Sequence, residues 1–575
     1  MSTNILSSLP CSLPQTNIPS DIDAPGVASA YSHRLHALTP TDFTPDAIWR
    51  DSFALTGTLR TFYSASVPAA WRTRCSTRQA QGFRLNHELA RVNRPVPGIG
   101  WIDVPFVFET AADLPLACAG FVSLVPGQNG SWKVWMLRTV LDQVLGWDVD
   151  HMPEEVEVSA EREGYVDCVV ALGVSYVIVD KNEEVGGCWL GRYDSTKLHL
   201  SRPFSQLPFD RAFPENYPDK LSKYDLARGY KDWADRYSIN IWQSTTLTSG
   251  TWNENEKKWT LHLRQPNARK TIQCAFVVMA TGGGAQKPIM PHYPGEDIFE
   301  GAIIHSAEYK NPLPWKGKHG VIVGSANTAH DVAEDMLNAE LKSVTMIQRS
   351  RTYVMPQEYF NDRLSTLYND TVPTATADRI FYSNPLVVSR LLAKANNDKQ
   401  AAAEPDRFDS LERAGFKVDR YGDMISILHE RFGGHYVDIG TSAKIAGGLI
   451  KMKSDSLPGS YTKKGILFAD GTELPADLVV FATGFNGNLR DGVRDIFGDE
   501  VYNSVDDYWG LDGQGEVKGA YKPTGHPGLF YIGGKTGHAR YYSRFVALQI
   551  KAAVLGIPLP VYNDTPGEKK KKKLV

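Results

Sequence analysis

Gly320-Val321-Ile322-Val323-Gly324-Ser325-Ala326-Asn327-Thr328-Ala329, then the helical run His330–Leu341, then Ser343-Val344-Thr345-Met346-Ile347, decides the fold. An apolar strand, a glycine-bearing turn, a helix and a second apolar strand, in that order, make a dinucleotide-binding βαβ unit. Gly324 allows the tight turn out of the first strand. The helix that follows offers unpaired N–H groups and the positive end of its dipole to a pyrophosphate, across Ser325, Ala326, Asn327 and Thr328. Ala329 is small enough for the helix to pack closely on the strand. The middle glycine of the usual G-x-G-x-x-G/A is Ala326, whose methyl limits the approach of backbone to phosphate. Beyond the second strand stand Gln348, Arg349, Ser350 and Arg351. An acid there would hold a ribose 2′-hydroxyl. A neutral residue followed by arginines suits a 2′-phosphate instead, so NADPH is expected rather than NADH, with Arg349 and Ser350 at the phosphate.

The segment just upstream is Phe299-x-Gly301-x-x-x-His305-x-x-x-Tyr309, led in by Pro291, Pro294 and Gly295. Placed directly before a second dinucleotide fold, it resembles the identifying sequence of flavin-containing monooxygenases. The Baeyer–Villiger enzymes of that superfamily usually carry Trp at the last position. Tyr309 points to the N-/S-oxygenating and YUCCA-like branches. The resemblance covers roughly residues 165–555. It implies an α/β fold with two dinucleotide-binding (Rossmann-like) domains, and FAD and NADPH as cofactors. It also implies hydride transfer to the flavin, addition of O2 to give a 4a-hydroperoxide, and oxygenation of a small N-, S- or carbonyl-containing substrate. Such chemistry requires no protein nucleophile, so no catalytic residue is assigned beyond the motif positions Phe299, Gly301, His305 and Tyr309. His305 is expected to shape the link between the two domains.

On the flavin side, Tyr165-Val166-Asp167-Cys168-Val169-Val170 resembles the first strand of the FAD domain. Tyr176–Asp180 resembles its second strand, with Asp180 where an acid holds the adenosine ribose. Only Ala171-Leu172-Gly173-Val174-Ser175 lie between them, whereas a parallel crossover takes a dozen or more residues. The first Gly-rich fingerprint is absent, and about 20 residues are missing by the usual size of such a unit. Three readings stay open: a gene model that lost an exon, a truncated non-catalytic paralogue that keeps NADPH binding only, or FAD held by the remaining contacts. Those contacts resemble the family's in Gly187, Trp189 and His199, in the Ala-Thr-Gly turns at Thr281-Gly282 and Thr483-Gly484, and in Gly533-Gly534. The last pair precedes a helix, Ala539–Ile550, whose N-terminus faces the flavin in the family.

The remaining chain is expected to divide as a disordered lead-in (1–25), a small α+β unit (26–150), the first FAD part (151–312), the NADPH domain with a helical insertion that shapes substrate access (313–465), the second FAD part (466–560) and a basic tail (561–575). In the α+β unit Thr44–Leu59 reads as helix. Strands are expected around Phe106–Phe108, Ala119–Val125 and Trp132–Leu137, an arrangement that resembles polyketide-cyclase-like cone folds. Within the insertion Leu386–Ala395 and Asp406–Ala414 read as helical, and the polar run Asn396–Ala403 as exposed. A net charge of −3 gives no general affinity for nucleic acid. Six cysteines without metal spacing read as free thiols in a reducing, cytoplasmic compartment, with no bound metal. No stretch is long and apolar enough for a transmembrane helix. The partners expected are a small-molecule substrate and O2; a homodimer fits the same reading.

Overall fold

The computed structural model describes residues 4–31, 34–146, 165–166, 174–209, 211–282 and 287–565. The N-terminal sheet comprises β1 (Phe43–Ser52), β2 (Leu59–Tyr63), β3 (Ala80–Leu85), β4 (Arg91–Val96), β5 (Ile99–Thr110), β6 (Leu116–Pro126) and β7 (Trp132–Val144), with helix α1 (Ser66–Thr77) between β2 and β3. The order is β2-β1-β7-β6-β5-β3, with β4 adding to β5; β1 and β7 run parallel. Trp49 stacks on Phe62 at 4.8 Å and meets Trp71 of α1 edge-on at 5.4 Å, so the interior is filled by the sheet's own aromatics.

Two expectations are corrected here. Thr44–Leu59 is not a helix: it is β1 followed by a buried loop. Ile48–Ser52 are buried without interruption, because one face of β1 meets the aromatic core and the other meets the flavin half. Burial on both faces erases the period-two alternation that would have marked a strand. The lead-in is not free either. Leu6 and Leu13 are buried in a cluster with Trp101 and Trp135 of the sheet and with Val387 and Val388 of the insertion. A Ser/Pro-rich composition masks a few well-placed apolar residues that suffice to dock a strap.

The sheet is fastened to the rest by a buried ion pair. Arg50 of β1 bonds Glu516 through two nitrogens at 2.7 Å each, and also donates to the Tyr382 and Asn384 carbonyls and to the Tyr542 hydroxyl. At the other end of the chain the Tyr562 amide donates to the Thr56 carbonyl (2.9 Å), and Arg60 donates to the Tyr562 and Asp564 carbonyls. The start of the basic tail is therefore docked. Its five lysines lie outside the described residues.

The NADPH half is the most regular part. Ala302–His305, Leu478–Phe481, His319–Val323, Ser343–Ile347 and Lys451–Lys453 form, in that order, a five-stranded parallel sheet. The crossover helix α2 (Asn327–Asn338) buries Ala329, His330, Val332, Ala333 and Met336 against it. Spacing of three and four puts those residues on one face.

The flavin half is organised differently. It contains the helix Lys223–Arg236 and a hairpin around Asn253–Glu256. Among the described residues Ile178–Val179 pairs only with Ile241–Trp242, and Val277–Met279 only with Leu529–Tyr531. Among the described residues no strand joins these two parallel pairs. Tyr165–Val166 is a strand, but it pairs in parallel with Gln273–Cys274 at the edge of the meander and not with Ile178–Val179. The expected break between residues 170 and 171 lies outside the described residues.

The insertion packs over the NADPH half as Gln357–Leu364, Thr374–Tyr382, Leu386–Ala403, Pro405–Arg413 and Met424–Glu430, all helical. Asn396–Ala403 continues the third of these helices and is not wholly exposed. Ala393, Asn397 and Ala401, four apart, form its buried face, where the Asn397 amide donates to the Tyr353 hydroxyl (3.0 Å).

Candidate cofactor and substrate site

Gly324 has φ +132°, and a Cβ there would sit 2.5 Å from the Ala482 carbonyl. The turn therefore requires glycine for conformation and for space. Ala326 is the N-cap of α2 and supplies no side-chain cap, so the first N–H groups of the helix have no side-chain partner. Ser325 and Asn327 are committed locally. The Ser325 hydroxyl lies 2.7 Å from that of Thr352, and the Asn327 amide oxygen accepts from the Val437 N–H (2.8 Å). Thr328 is half-buried in the first turn. Gln348 is fully buried and bonded to Thr352 and to both backbone groups of Lys417. It anchors the insertion, which accounts for a neutral residue at that position. Arg351 is paired with Glu412 (3.0 Å) and the Val418 carbonyl. Arg349 and Ser350 are exposed at the strand's end, and Arg349 is in no ion pair among the described residues.

The motif segment runs from the edge strand of the NADPH sheet, Ala302–His305, to Tyr309, which meets Tyr193. A Cβ on Gly301 would meet the Phe299 ring at 2.4 Å and the Asp477 carbonyl at 2.7 Å; Phe299 packs on Tyr461. His305 is buried. Its Nδ1 accepts from the Ala307 N–H (3.1 Å), and its ring stands edge-on to Phe485, next to the second Ala-Thr-Gly turn. Burial lowers its pKa below the usual histidine value. In that turn Thr483 donates to the Ile289 carbonyl (2.5 Å), and Gly484 has φ +83°. Tyr309 is buried against Tyr193, with its hydroxyl 3.5 Å from Asp335. None of these four motif residues lines the cavity described below.

On the flavin side, Asp180 caps its own turn, accepting from the Asn182 N–H (3.0 Å) and side-chain amide (2.8 Å). Gly186, beside Gly187, has φ +85° and packs on Ala227, and Trp189 carries the Arg192 guanidinium at 4.7 Å. His199, expected to wrap the flavin, bridges the halves. Its Nε2 is 3.0 Å from Asp331 of α2, and that carboxylate also accepts from the Tyr193 hydroxyl (2.6 Å). One turn on, Asp335 is raised to about 6, chiefly by burial. Thr281 is exposed, and Gly282 has φ +81°. A Cβ on Gly533 would strike the Tyr508 hydroxyl at 2.1 Å, and Gly534 has φ +85°. This turn delivers the chain into helix α3 (Thr536–Val554).

Sequence reading missed the cavity at the start of α3. Its free interior is small, about 60 Å³. Phe360, Phe381 and Tyr382 of the insertion wall one side; Lys535, His538 and Tyr542 wall the other. Arg363 and His429 complete the polar lining. Burial holds His429 down to about 4, Lys535 down to about 8 and Arg363 down to about 10; the Arg363 charge also acts on Lys535. Only the expectation that the helical insertion of the NADPH domain shapes substrate access pointed here. Among the described residues no cluster could hold a metal ion, and no helix is long and apolar enough to cross a membrane.

Residues 169–384 match a family model described as pyridine nucleotide-disulphide oxidoreductase. The probable indole-3-pyruvate monooxygenase YUCCA3 of Arabidopsis thaliana is 26% identical over 334 residues, 56% of this chain and 70% of the relative. Indole-3-pyruvate monooxygenase YUCCA1 of Oryza sativa subsp. japonica is 25% identical over 352 residues, 60% of this chain and 79% of the relative. Among solved structures, the open form of a cyclohexanone monooxygenase superposes with a TM-score of 0.50 at 18% identity, covering 68% of this chain and 87% of that one, a likeness of fold.

Proposed function

For a chain that belongs to the flavin-containing monooxygenase family, we propose an FAD- and NADPH-dependent enzyme that oxygenates a small organic molecule at nitrogen, sulfur or a carbonyl. The observation that carries this reading is the position of the cavity. The glycine turn Gly533-Gly534 runs straight into Lys535 and His538, which are cavity wall. The helix end that faces flavin in the family is thus also the edge of an aromatic pocket.

The NADPH half fits its cofactor. Gly324 leaves no room for a side chain, the α2 N-terminus is uncapped by side chains, and Arg349 stands ready for a 2′-phosphate. The fit to FAD is incomplete. Asp180, Gly187, Trp189, Thr281, Gly282, Gly533 and Gly534 remain, but in the sequence only Ala171–Ser175 lie between the two strand-like stretches, too few for the Gly-rich turn and helix that cradle a pyrophosphate. In this family the reduced flavin supplies the oxygen-transfer chemistry. The protein's part is to exclude water and hold the substrate. The buried rings of the cavity wall and the His199–Asp331–Tyr193 bridge, which fixes one half on the other, serve that part. We assign a reducing, cytoplasmic setting from the scattered spacing of the six cysteines in the sequence.

The incomplete cradle favours a second reading, a paralogue that binds NADPH alone. A visible spectrum of the purified chain, after FAD is added and the excess removed, separates the two. Flavin bands bleached by NADPH under nitrogen support the monooxygenase. A colourless protein that still binds NADPH supports the paralogue.

A further inference from the structure

The segment Tyr562–Thr565 lies on a buried cation that has no anion of its own. Arg60 of β2 is 5% exposed. Its Nε donates to the Gln514 side-chain carbonyl (3.1 Å), its Nη1 to the Tyr562 and Asp564 carbonyls (2.9 and 2.6 Å), and its Nη2 to the Thr565 hydroxyl (2.8 Å). Every one of these acceptors is uncharged, and among the described residues Arg60 is in no ion pair. The acids around it are engaged elsewhere: Asp564 with Arg74, Asp512 with Lys522, and Asp51 with Thr56 and Thr139. Arg74, itself buried, is close enough for its charge to act on Arg60, and its Nε has no hydrogen-bond partner. Burial, and then that repulsion, lower the Arg60 pKa. A buried cation bonded only to neutral groups is costly, and an anion placed on it removes that cost.

Thr565 stands where such an anion can be made. It is half-buried, its neighbours Asn563 and Asp564 are exposed, and the next residue in the sequence is Pro566. A residue before proline is biased to extended backbone, and Thr-Pro is the dipeptide that proline-directed kinases accept. We propose that Thr565 is a phosphorylation site and that Arg60 is the receptor for its phosphate. The Thr565 oxygen attacks the γ-phosphorus of ATP on a protein kinase. The new O–P bond forms as the bond from that phosphorus to the β–γ bridging oxygen breaks, ADP leaves, and the hydroxyl proton passes to the kinase's base. The phosphate then meets the guanidinium that the hydroxyl meets now, and a neutral hydrogen bond becomes a charge-assisted one. Phosphorylation thereby locks Tyr562–Thr565 onto the N-terminal sheet, where the Tyr562 amide already donates to the Thr56 carbonyl. The site shares no residue with the cofactor and substrate site.

The full chain is incubated with ATP and a proline-directed Ser/Thr kinase of the mitogen-activated class, and the modified residue is located by peptide mass spectrometry. Thr565 should carry the phosphate, and Pro566→Ala should lose that label. The ³¹P resonance then reports the second ionisation of the phosphate. Its midpoint should lie about one pH unit below that of a synthetic phosphopeptide with the sequence of residues 558–568, roughly a tenfold difference in proton affinity. Hydrogen exchange at the Tyr562 amide should slow about tenfold on phosphorylation, the worth of one charge-assisted hydrogen bond. Arg60→Gln should bring the two midpoints together, and Arg60→Lys should keep most of the gap. Labelling confined to other residues, a midpoint equal to the peptide's, or unchanged exchange at Tyr562 overturns the assignment. The midpoint comparison is made on the unaltered sequence, so it decides the matter even where an Arg60 variant fails to fold.

Discussion

Arg349 and Asp335 each carry one charge whose surroundings set a measurable outcome. Arg349 is exposed at the end of the strand after α2 and in no ion pair among the described residues, while Arg351 is spent on Glu412. Arg349→Ala should weaken NADPH about tenfold and NADH little, in line with 1.5–3 kcal/mol for a hydrogen bond to a charged group. Equal losses in fluorescence titrations with the two nucleotides would reject the 2′-phosphate assignment. Asp335 is raised from 3.8 to about 6 by burial, with repulsion from Asp331 added. A carboxyl that holds its proton more tightly when folded stabilises the fold at low pH, and that contribution is lost as pH rises from about 4 through about 6. Asp335→Asn should therefore raise the melting temperature at pH 7.5 and leave it nearly unchanged at pH 4. A drop at pH 7.5 would show that the ionised form is the stabilising one.

At the scale of elements, the parallel NADPH sheet was legible because its strands are short apolar runs bounded by glycine and its helix keeps one apolar face. His199 was not, because its partner Asp331 lies 132 residues away and the local pattern says nothing of such a bond. β1 was misread for a related reason: burial against two bodies hid its alternation. The cavity was invisible because its wall comes from Phe204, the insertion and α3, and no local spacing relates them. Where β1 meets the flavin half, Arg50→Met should cost about 3–5 kcal/mol by leaving Glu516 buried and uncompensated. The double substitution Arg50→Met/Glu516→Leu should recover most of the loss. Chemical denaturation followed by tryptophan fluorescence reads both; a double variant as weak as the single would mean that the contacts of Arg50 with Tyr382, Asn384 and Tyr542 dominate.

Taken as a whole, the molecule has a well-formed nucleotide half, a flavin half whose two parallel strand pairs are joined by no strand among the described residues, and an N-terminal sheet clasped by segments from both ends of the chain. That clasp has a consequence for biosynthesis. Arg50 is translated early, and Glu516 follows 466 residues later. Asp564, which accepts from Arg60 and Arg74, comes later still. Domains generally fold in the order in which they leave the ribosome. The N-terminal sheet must therefore wait with its basic docking face uncovered until almost the whole polypeptide has been made, and a nascent chain stalled before codon 516 presents that face to chaperones.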